Sequence, residues 1–462
     1  MKTYLLNKNV LSLLGIYLLV SIVPLFLSHS FALSYSFYNY ATIQILIFGI
    51  LFCLKEEKRN IFLLSPSFIA VSYINLNFLF GSIVFKQGLV FDYVLIPYQS
   101  WENYGLVIGY FNLINFAIIA SFFLSRQIKF FSRFKLICDF KKYSNGVLIL
   151  IGLTIVLAFS YFDLSLDFLG GDGDFSIIPK TLGILIIIVC FSRFPSLTKR
   201  LIGYLIIIAF FSAISWENKR NSIFLLLPIL LLESRNFKVK LNLKKVALLS
   251  FSILLLLQLI LAMSIFRGYG GYKPKSFLEA NGYVFDYIQS KEFIPAFMNN
   301  LEISYTYFHS NNAIQTILKD PEKITYGETL IKPFFIFIPR RMVSFKPRSI
   351  IHHYTVTVSS NYRSKGGSWP ISFQSEMFWN FHFFGIFVGF LFFIILNSVY
   401  LNIRSLIVDG DIINFIPLLY FYQTTLVLFR GSGLDMFTVF IILATVFSVF
   451  IKLTTKILLN KG

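Results

Sequence analysis

The sequence predicts an all-α polytopic membrane protein. Of its 462 residues, 56% are hydrophobic and only 14% are charged. The mean hydropathy is +0.72, and apolar runs of about 20 residues, the length of helix that crosses a bilayer, recur along the whole chain. A soluble core cannot hide that much apolar surface. The composition therefore excludes an ordinary soluble protein.

The apolar runs predict about twelve transmembrane helices and three regions. An even number of spans puts both chain termini on one side of the membrane. Residues 1–266 form an N-terminal bundle of about nine spans, 267–374 a large loop domain and 375–462 a C-terminal region of about three spans. The expected spans cover residues 9–28, 35–54, 61–85, 103–125, 146–162, 177–195, 201–216, 222–233, 246–266, 375–400, 414–430 and 434–455.

The loop charges predict the orientation. The loops 126–142, 193–200 and 235–245 are dense in Lys and Arg and fall on the same face as both termini, whereas loop 163–176 carries four aspartates and no cation. Positively charged loops stay in the cytoplasm. We therefore expect cytoplasmic termini and an extracytoplasmic loop domain. The net charge of +19 then indicates orientation and contact with anionic membrane lipids, not nucleic-acid binding.

The middle of the large loop shows a helical pattern. Apolar residues in 292–320 recur at spacings of three and four, and this pattern suits helices that lie on the membrane surface. These residues are Ile294, Phe297, Met298, Leu301, Tyr305 and Phe308.

Arginines from separate segments are expected at the outer face, where positively charged residues are normally scarce. They are Arg220, Arg267, Arg340, Arg341 and Arg430. Each could simply reach the lipid headgroups from the end of a span. As a group they suit a lipid diphosphate, because guanidinium bonds phosphate oxygens in pairs and can stabilise a diphosphate leaving group without a metal.

Metal or cofactor binding is not predicted. The expected outer side has no HExxH, no DxD and no cysteine set, and the aspartates of "GDGD" (171–174) have the spacing of a solvated turn. Aromatic residues of the large loop could stack on sugars, although aromatic belts at membrane interfaces need no ligand. They are Tyr269, Tyr272, Tyr305, Tyr307, Tyr354, Tyr362 and Trp369.

Four short motifs, in this order along the chain, resemble the Wzy-type oligosaccharide repeat-unit polymerases of O-antigen, enterobacterial common antigen and capsule synthesis. The motifs are "ENKRNS" (217–222), "FIPRRMVSFKPRS" (337–349), "SFQSEMFWNFHFFGIFVG" (372–389) and "VLFRGSGLDMF" (427–437). The third is similar to the family's entry to a late span through Glu376, Asn380, Phe381 and Gly385.

This resemblance implies a C-type glycosyltransferase-like fold in the bacterial plasma membrane. The substrate would be a glycan on undecaprenyl diphosphate, transferred as a block at the outer face, and a chain-length regulator and a flippase of the same pathway would be partners. A cationic clamp would hold the lipid diphosphate, formed from Arg220, Arg267, Arg340, Arg341, Lys346, Arg348 and Arg430. Candidates for the catalytic base are His352, His353, Glu376 and Asp435.

Other interpretations stay open at this point. The two histidines could be loop residues in contact with water, Glu376 could cap the N-terminus of its own span, and Asp435 could pair with Arg430. At the level of function, the alternatives are an O-antigen-ligase-like glycan transferase and, less favoured, a lipid-linked oligosaccharide flippase. A flippase should carry charged residues at the bilayer midplane, but most charges in this sequence fall near span ends.

Overall fold

The computed structural model describes residues 8–86, 102–127, 143–161, 177–214, 224–235, 254, 258, 261–262, 265–266, 271–290, 293, 303–335, 338, 342, 347–431 and 433–459. Every regular element in these ranges is helical. The helices before residue 240 are α1 (Lys8–Ile22), α2 (His29–Cys53), α3 (Glu56–Leu63), α4 (Pro66–Lys86), α5 (Tyr104–Leu124), α6 (Asn145–Tyr161), α7 (Ile177–Ser192), α8 (Leu197–Ile214) and α9 (Leu226–Glu233). The later helices are α10 (Phe277–Gly282), α11 (Val284–Gln289), α12 (Ile303–Lys319), α13 (Glu328–Ile331), α14 (Ile350–Val358), α15 (Ser360–Ser364), α16 (Phe373–Phe381), α17 (Gly385–Val408), α18 (Ile416–Arg430) and α19 (Leu434–Leu459).

The helices confirm a membrane-embedded all-α protein. Within the described residues, six segments are long and apolar enough to cross a bilayer: Lys8–Phe26, His29–Cys53, Pro66–Ile83, Tyr104–Leu124, Phe373–Val408 and Ile412–Arg430. Three shorter apolar helices cover Asn145–Ser160, Ile177–Ser192 and Leu434–Val449. The full set of twelve spans stays a prediction.

Small and amide side chains hold these helices together. A Cβ added to Gly152 of α6 would lie 2.7 Å from the Gly183 carbonyl oxygen of α7, and the reverse contact is the same. Asn39 of α2 and Asn112 of α5 exchange two amide hydrogen bonds of 2.9 and 3.2 Å. Because lipid gives apolar helices no net drive to associate, close glycine contacts and interhelical hydrogen bonds stabilise such a bundle.

Helix α17 joins two ends of the bundle. It has 24 residues and is therefore about 36 Å long. Its N-terminal residue, Gly385, packs so closely on the Met377 carbonyl of α16 that a side chain would overlap it. Near its other end, Arg404 Nη1 lies 3.5 Å from Ser234 Oγ, just after α9. We call these the α16 end and the α9 end.

Helix α12 contradicts the prediction of a helix on the membrane surface. Residues 306–315 are all buried, and the helix packs against α4, α5 and α16. A Cβ on Gly81 of α4 would overlap the Tyr307 side chain. The polar face of α12 bonds to protein, since Ser310 Oγ accepts from the Ser372 N–H at 3.0 Å. The pattern correctly indicated a helix, but it does not reveal whether water or protein meets the polar face. Residues 294–302 lie outside the described ranges.

Candidate functional site

Two glycines shape the turn that brings α18 and α19 to α16. Gly431 and Gly433 have φ angles of +96° and +91°, which glycine adopts without strain. A Cβ on Gly431 would overlap the Ile371 carbonyl, and one on Gly433 would lie 2.5 Å from Asp435 Oδ1. The close approach of this turn therefore depends on the absence of side chains.

Two buried carboxylates meet at this turn. Glu376 of α16 is 1% exposed and Asp435 of α19 is 0% exposed. Glu376 Oε2 accepts a hydrogen bond from the Leu434 N–H at 2.8 Å, and Asp435 Oδ2 accepts one from Lys332 Nζ at 2.7 Å. Leu434 directly precedes Asp435, so both carboxylates lie against one turn of backbone, and their charges act on each other. We call Glu376, Asp435 and Lys332 the carboxylate cluster.

One interpretation of the sequence was that Glu376 caps the N-terminus of its own helix. The structure shows otherwise. Ser372 is the N-cap of α16, because its Oγ accepts from the Ser375 N–H at 3.3 Å. Glu376 instead accepts from the first residue of α19. A carboxylate at a helix N-terminus is stabilised by the free N–H groups there. Glu376 therefore does cap a helix N-terminus, but the helix is α19 and not its own helix α16.

Asp435 pairs with Lys332 and not with Arg430, the partner that one interpretation of the sequence had left open. Lys332 was not among the candidates from the sequence, because 103 residues separate it from Asp435. One signal could have identified it. Lys332 is the single charged residue in the apolar stretch "TLIKPFFIFIP" (329–339), and a charge in such a stretch needs a partner.

The side-chain amide of Asn380, on α16, bonds the segment that directly precedes Lys332. Asn380 Oδ1 accepts from Thr325 Oγ1 at 2.8 Å and from Thr329 Oγ1 at 3.1 Å. Asn380 Nδ2 donates to the Glu376 carbonyl at 3.0 Å. Asn380 was part of the family-like motif, and these contacts give it a positioning task next to the carboxylate cluster.

The carboxylate cluster leaves two acceptors unsatisfied. Glu376 Oε1 and Asp435 Oδ1 are buried, and no described residue donates a hydrogen bond to either atom. Most buried polar atoms in proteins have a partner, so each exception calls for an explanation. Two acidic groups with one ammonium and two open acceptor positions are suited to take up a proton or to bind a hydroxyl group.

His352 of α14 contacts two arginines, Arg348 just before that helix and Arg363 of α15. Arg348 Nη1 is 2.7 Å from His352 Nε2, and Arg363 Nε donates to His352 Nδ1 at 3.1 Å. Guanidinium groups only donate hydrogen bonds, and a neutral imidazole has a single acceptor nitrogen, so only one of the two arginines can donate to the ring at a time. The role of His352 as a base candidate stays a prediction. The two guanidinium groups are also suited to bind an anion. The sequence analysis did not select Arg363, which looks like an ordinary turn residue in "NYRSKGG" (361–367).

His353 points to a different environment. It is half-buried, and burial is the largest cause that lowers its pKa; Arg348 lowers the pKa further, while Glu328 raises it. A histidine in such surroundings is uncharged at neutral pH. The uncharged ring is the form that can accept a proton, so His353 stays a base candidate beside the carboxylate cluster.

Aromatic rings near α14 stack on each other. Trp369 lies between Tyr362, with ring centroids 4.5 Å apart, and His309, with centroids 4.8 Å apart. Both faces of Trp369 are thus covered and cannot stack on a sugar. Tyr354 Oη accepts from Asn312 Nδ2 at 3.1 Å, so it donates its own hydrogen to His309 Nδ1 at 2.8 Å. Burial lowers the pKa of His309 to about 3, and this histidine is uncharged.

Two residues of the predicted cationic clamp belong to the described part of the chain. Arg430 is the last residue of α18 and is half-buried, and Arg348 is exposed just before α14. Helix α14 approaches the turn of the carboxylate cluster, since a Cβ on Gly433 would lie 3.3 Å from Ile350 Cγ2. The remaining clamp residues and the acidic loop 163–174 lie outside the described ranges: Arg220, Arg267, Arg340, Arg341 and Lys346.

The comparisons with known proteins add no relative. No family model matches this chain, and no match is found among curated proteins or solved structures.

Proposed function

We propose that this protein polymerises oligosaccharide repeat units linked to undecaprenyl diphosphate at the outer face of the bacterial plasma membrane, with a C-type glycosyltransferase-like fold. The observation that carries the proposal is the buried carboxylate cluster at the ends of apolar helices, together with the approach of α14, whose His352 contacts Arg348 and Arg363, to the turn of that cluster. A base and a cationic site side by side are what glycosyl transfer from a lipid diphosphate requires. The resemblance of four ordered motifs to Wzy-type polymerases supports the same conclusion.

The proposed reaction moves one glycan block. A hydroxyl of the newly arrived, lipid-linked repeat unit attacks the anomeric carbon of the growing glycan. The bond from that carbon to the diphosphate oxygen breaks, a new glycosidic bond forms, and undecaprenyl diphosphate leaves with the electron pair. One carboxylate of the cluster accepts the hydroxyl proton. No step calls on a metal, because arginines can stabilise the leaving diphosphate.

The arginines supply the second requirement. Arg348 and Arg363 present two guanidinium groups around His352, and Arg430 ends α18 close to the turn that carries Asp435. A planar guanidinium forms paired hydrogen bonds to phosphate oxygens and keeps its charge in a water-poor site. These groups, with the arginines predicted from the sequence, form the proposed clamp.

Deletion of the gene separates this function from its alternatives. If the protein is the polymerase, cells lose long glycan chains on a ladder gel and accumulate lipid carrying single repeat units. Loss of a ligase would leave polymer on its lipid carrier, unattached to its final acceptor. Loss of a flippase would leave single repeat units on the cytoplasmic side. Either of the last two results overturns the proposal.

Complementation with point variants tests the clamp. An arginine contact to the departing diphosphate contributes about 2–4 kcal/mol to the transition state, or roughly 30- to 1,000-fold in rate. We expect Arg430→Ala to shorten the glycan ladder severely at matched protein levels. Lys323→Ala is the control, since Lys323 only pairs with Asp320 at 3.1 Å on the surface. Equal ladders from both variants would contradict the clamp.

A further inference from the structure

The charges of the carboxylate cluster do not balance. Glu376 and Asp435 together would carry two negative charges, and among the described residues the cation bonded to either of them is Lys332. Both carboxylates are at most 1% exposed, while the Lys332 side chain is 17% exposed. A buried, uncompensated negative charge is strongly disfavoured, and such a group takes up a proton instead.

The unsatisfied atoms indicate where that proton lies. Carboxylate oxygens only accept hydrogen bonds, whereas a carboxylic acid also donates one. Glu376 Oε1 and Asp435 Oδ1 both lack a donor among the described residues. One proton on either carboxyl group removes the excess charge. It also supplies a hydrogen-bond donor within the same buried turn as the other carboxylate.

The hydrogen-bond partners of the two carboxyl groups indicate which of them carries the proton. Asp435 bonds the ammonium of Lys332 at 2.7 Å, and such a contact favours the ionised form. Glu376 bonds a neutral backbone N–H at 2.8 Å. Thr329 of α13 also faces Glu376, and its hydroxyl lies 2.9 Å from Asn380 Nδ2 and 3.1 Å from Asn380 Oδ1. A neutral hydroxyl beside Glu376 does not supply a compensating charge. We propose that Glu376 is a neutral carboxylic acid that donates its proton to an ionised Asp435.

This arrangement deepens the proposed function and rests on it for its catalytic meaning. Asp435 becomes the base that accepts the hydroxyl proton during glycosyl transfer. Glu376 and Lys332 are positioning residues: Lys332 bonds Asp435 Oδ2, and the acid proton of Glu376 bonds Asp435 in the proposed arrangement. After the transfer step both carboxyl groups carry a proton, and Asp435 returns its proton to water before the next cycle.

Infrared spectroscopy tests the proton assignment without any activity. Purified protein at neutral pH should show the carbonyl band of a protonated carboxylic acid, shifted in heavy water. The band should disappear in Glu376→Gln and remain in Glu328→Gln, a partly exposed glutamate on the neighbouring helix α13. Absence of the band in the wild type, or its persistence in Glu376→Gln, overturns the proposal. If a variant fails to fold, absence of the band from the wild type still overturns the proposal.

Transfer assays test the positioning role separately. Glu376→Ala removes the donor to Asp435 and should lower the transfer rate about tenfold or more. Glu376→Gln should recover part of that loss, because its amide N–H can replace the acid O–H. Equal rates for Ala and Gln would overturn the positioning role. A protein that shows the infrared band but transfers no glycan retains the proton assignment and refutes the proposed function.

Discussion

The two ends of the bundle contain buried ionic groups of opposite character. At the α9 end, Arg200 and Glu233 form a paired salt bridge with distances of 2.8 and 3.0 Å, and Tyr204 Oη donates to the same carboxylate at 2.7 Å. Arg200 Nη1 also donates to the carbonyls of Phe194 and Pro195 at 2.9 and 3.2 Å. Both oxygens of Glu233 are bonded. At the α16 end, two carboxylates share one ammonium, and two oxygens lack a donor among the described residues.

This difference distinguishes a stabilising group from a reactive one. In a buried ion pair with complete hydrogen bonding, removal of either partner strongly destabilises the folded state. Such a pair has no open donor or acceptor that could bind a substrate. A cluster in which two carboxyl groups share one ammonium stabilises the fold less, but it can take up and release a proton. We therefore assign a structural role to the α9 end and the chemistry to the α16 end.

The largest change in stability is expected at the α9 end. Arg200→Ala leaves Glu233 buried and unpaired, and removal of one partner from such a pair lowers the free energy of unfolding by about 3–5 kcal/mol. Arg193→Ala, at the same end, breaks a single long contact of 3.4 Å to Asn145 and should change stability by about 0.5 kcal/mol or less. Thermal unfolding in detergent measures both. A mild effect of Arg200→Ala would mean that the pair is not structural.

A smaller effect is expected from one added methyl group at the α16 end. Gly433→Ala and Gly410→Ala both place alanine at a positive φ, of +91° and +69°, which costs about 1–3 kcal/mol. Only the alanine at 433 meets Asp435 Oδ1, because nothing lies within 4 Å of a Cβ at 410. Gly433→Ala should therefore lower glycan transfer about tenfold or more, since a misplaced reactive group loses rate steeply. Equal transfer rates in both variants would show that the turn does not position Asp435.

Local features of this site could be predicted from the sequence, but its contacts could not. Glu376 and Asp435 stand out because each is an acid at the end of an apolar run. Lys332 and Arg363 were missed, because their importance depends on partners that are distant in sequence or on the local fold of a turn. The helix at α12 was predicted from its spacing, yet its polar face meets Ser372 and Tyr354 in the protein. The spacing of apolar residues predicts which face of a helix is polar, but it does not predict whether water or protein contacts that face.

The last expected effect on stability concerns pH. Burial lowers the pKa of His309 to about 3, below its ordinary value of about 6.5 in the unfolded chain. Unfolding therefore takes up a proton in this range. The contribution of His309 to stability is complete above about pH 6.5 and is lost as the pH falls towards 3. His309→Asn should flatten the decline of the melting temperature between about pH 7 and pH 5. An unchanged decline would show that His309 is not the group responsible.

The most direct test of the division between the two ends measures transfer and stability on the same variant. We expect Asp435→Asn to lower the rate of glycan transfer between purified lipid-linked repeat units by about 100- to 10,000-fold, the range for loss of a catalytic base. Its melting temperature should fall far less than that of Arg200→Ala, whose transfer rate per folded molecule should stay close to that of the wild type. Normal transfer by Asp435→Asn, or equal loss of transfer per folded molecule in both variants, would contradict the assignment of the chemistry to the α16 end.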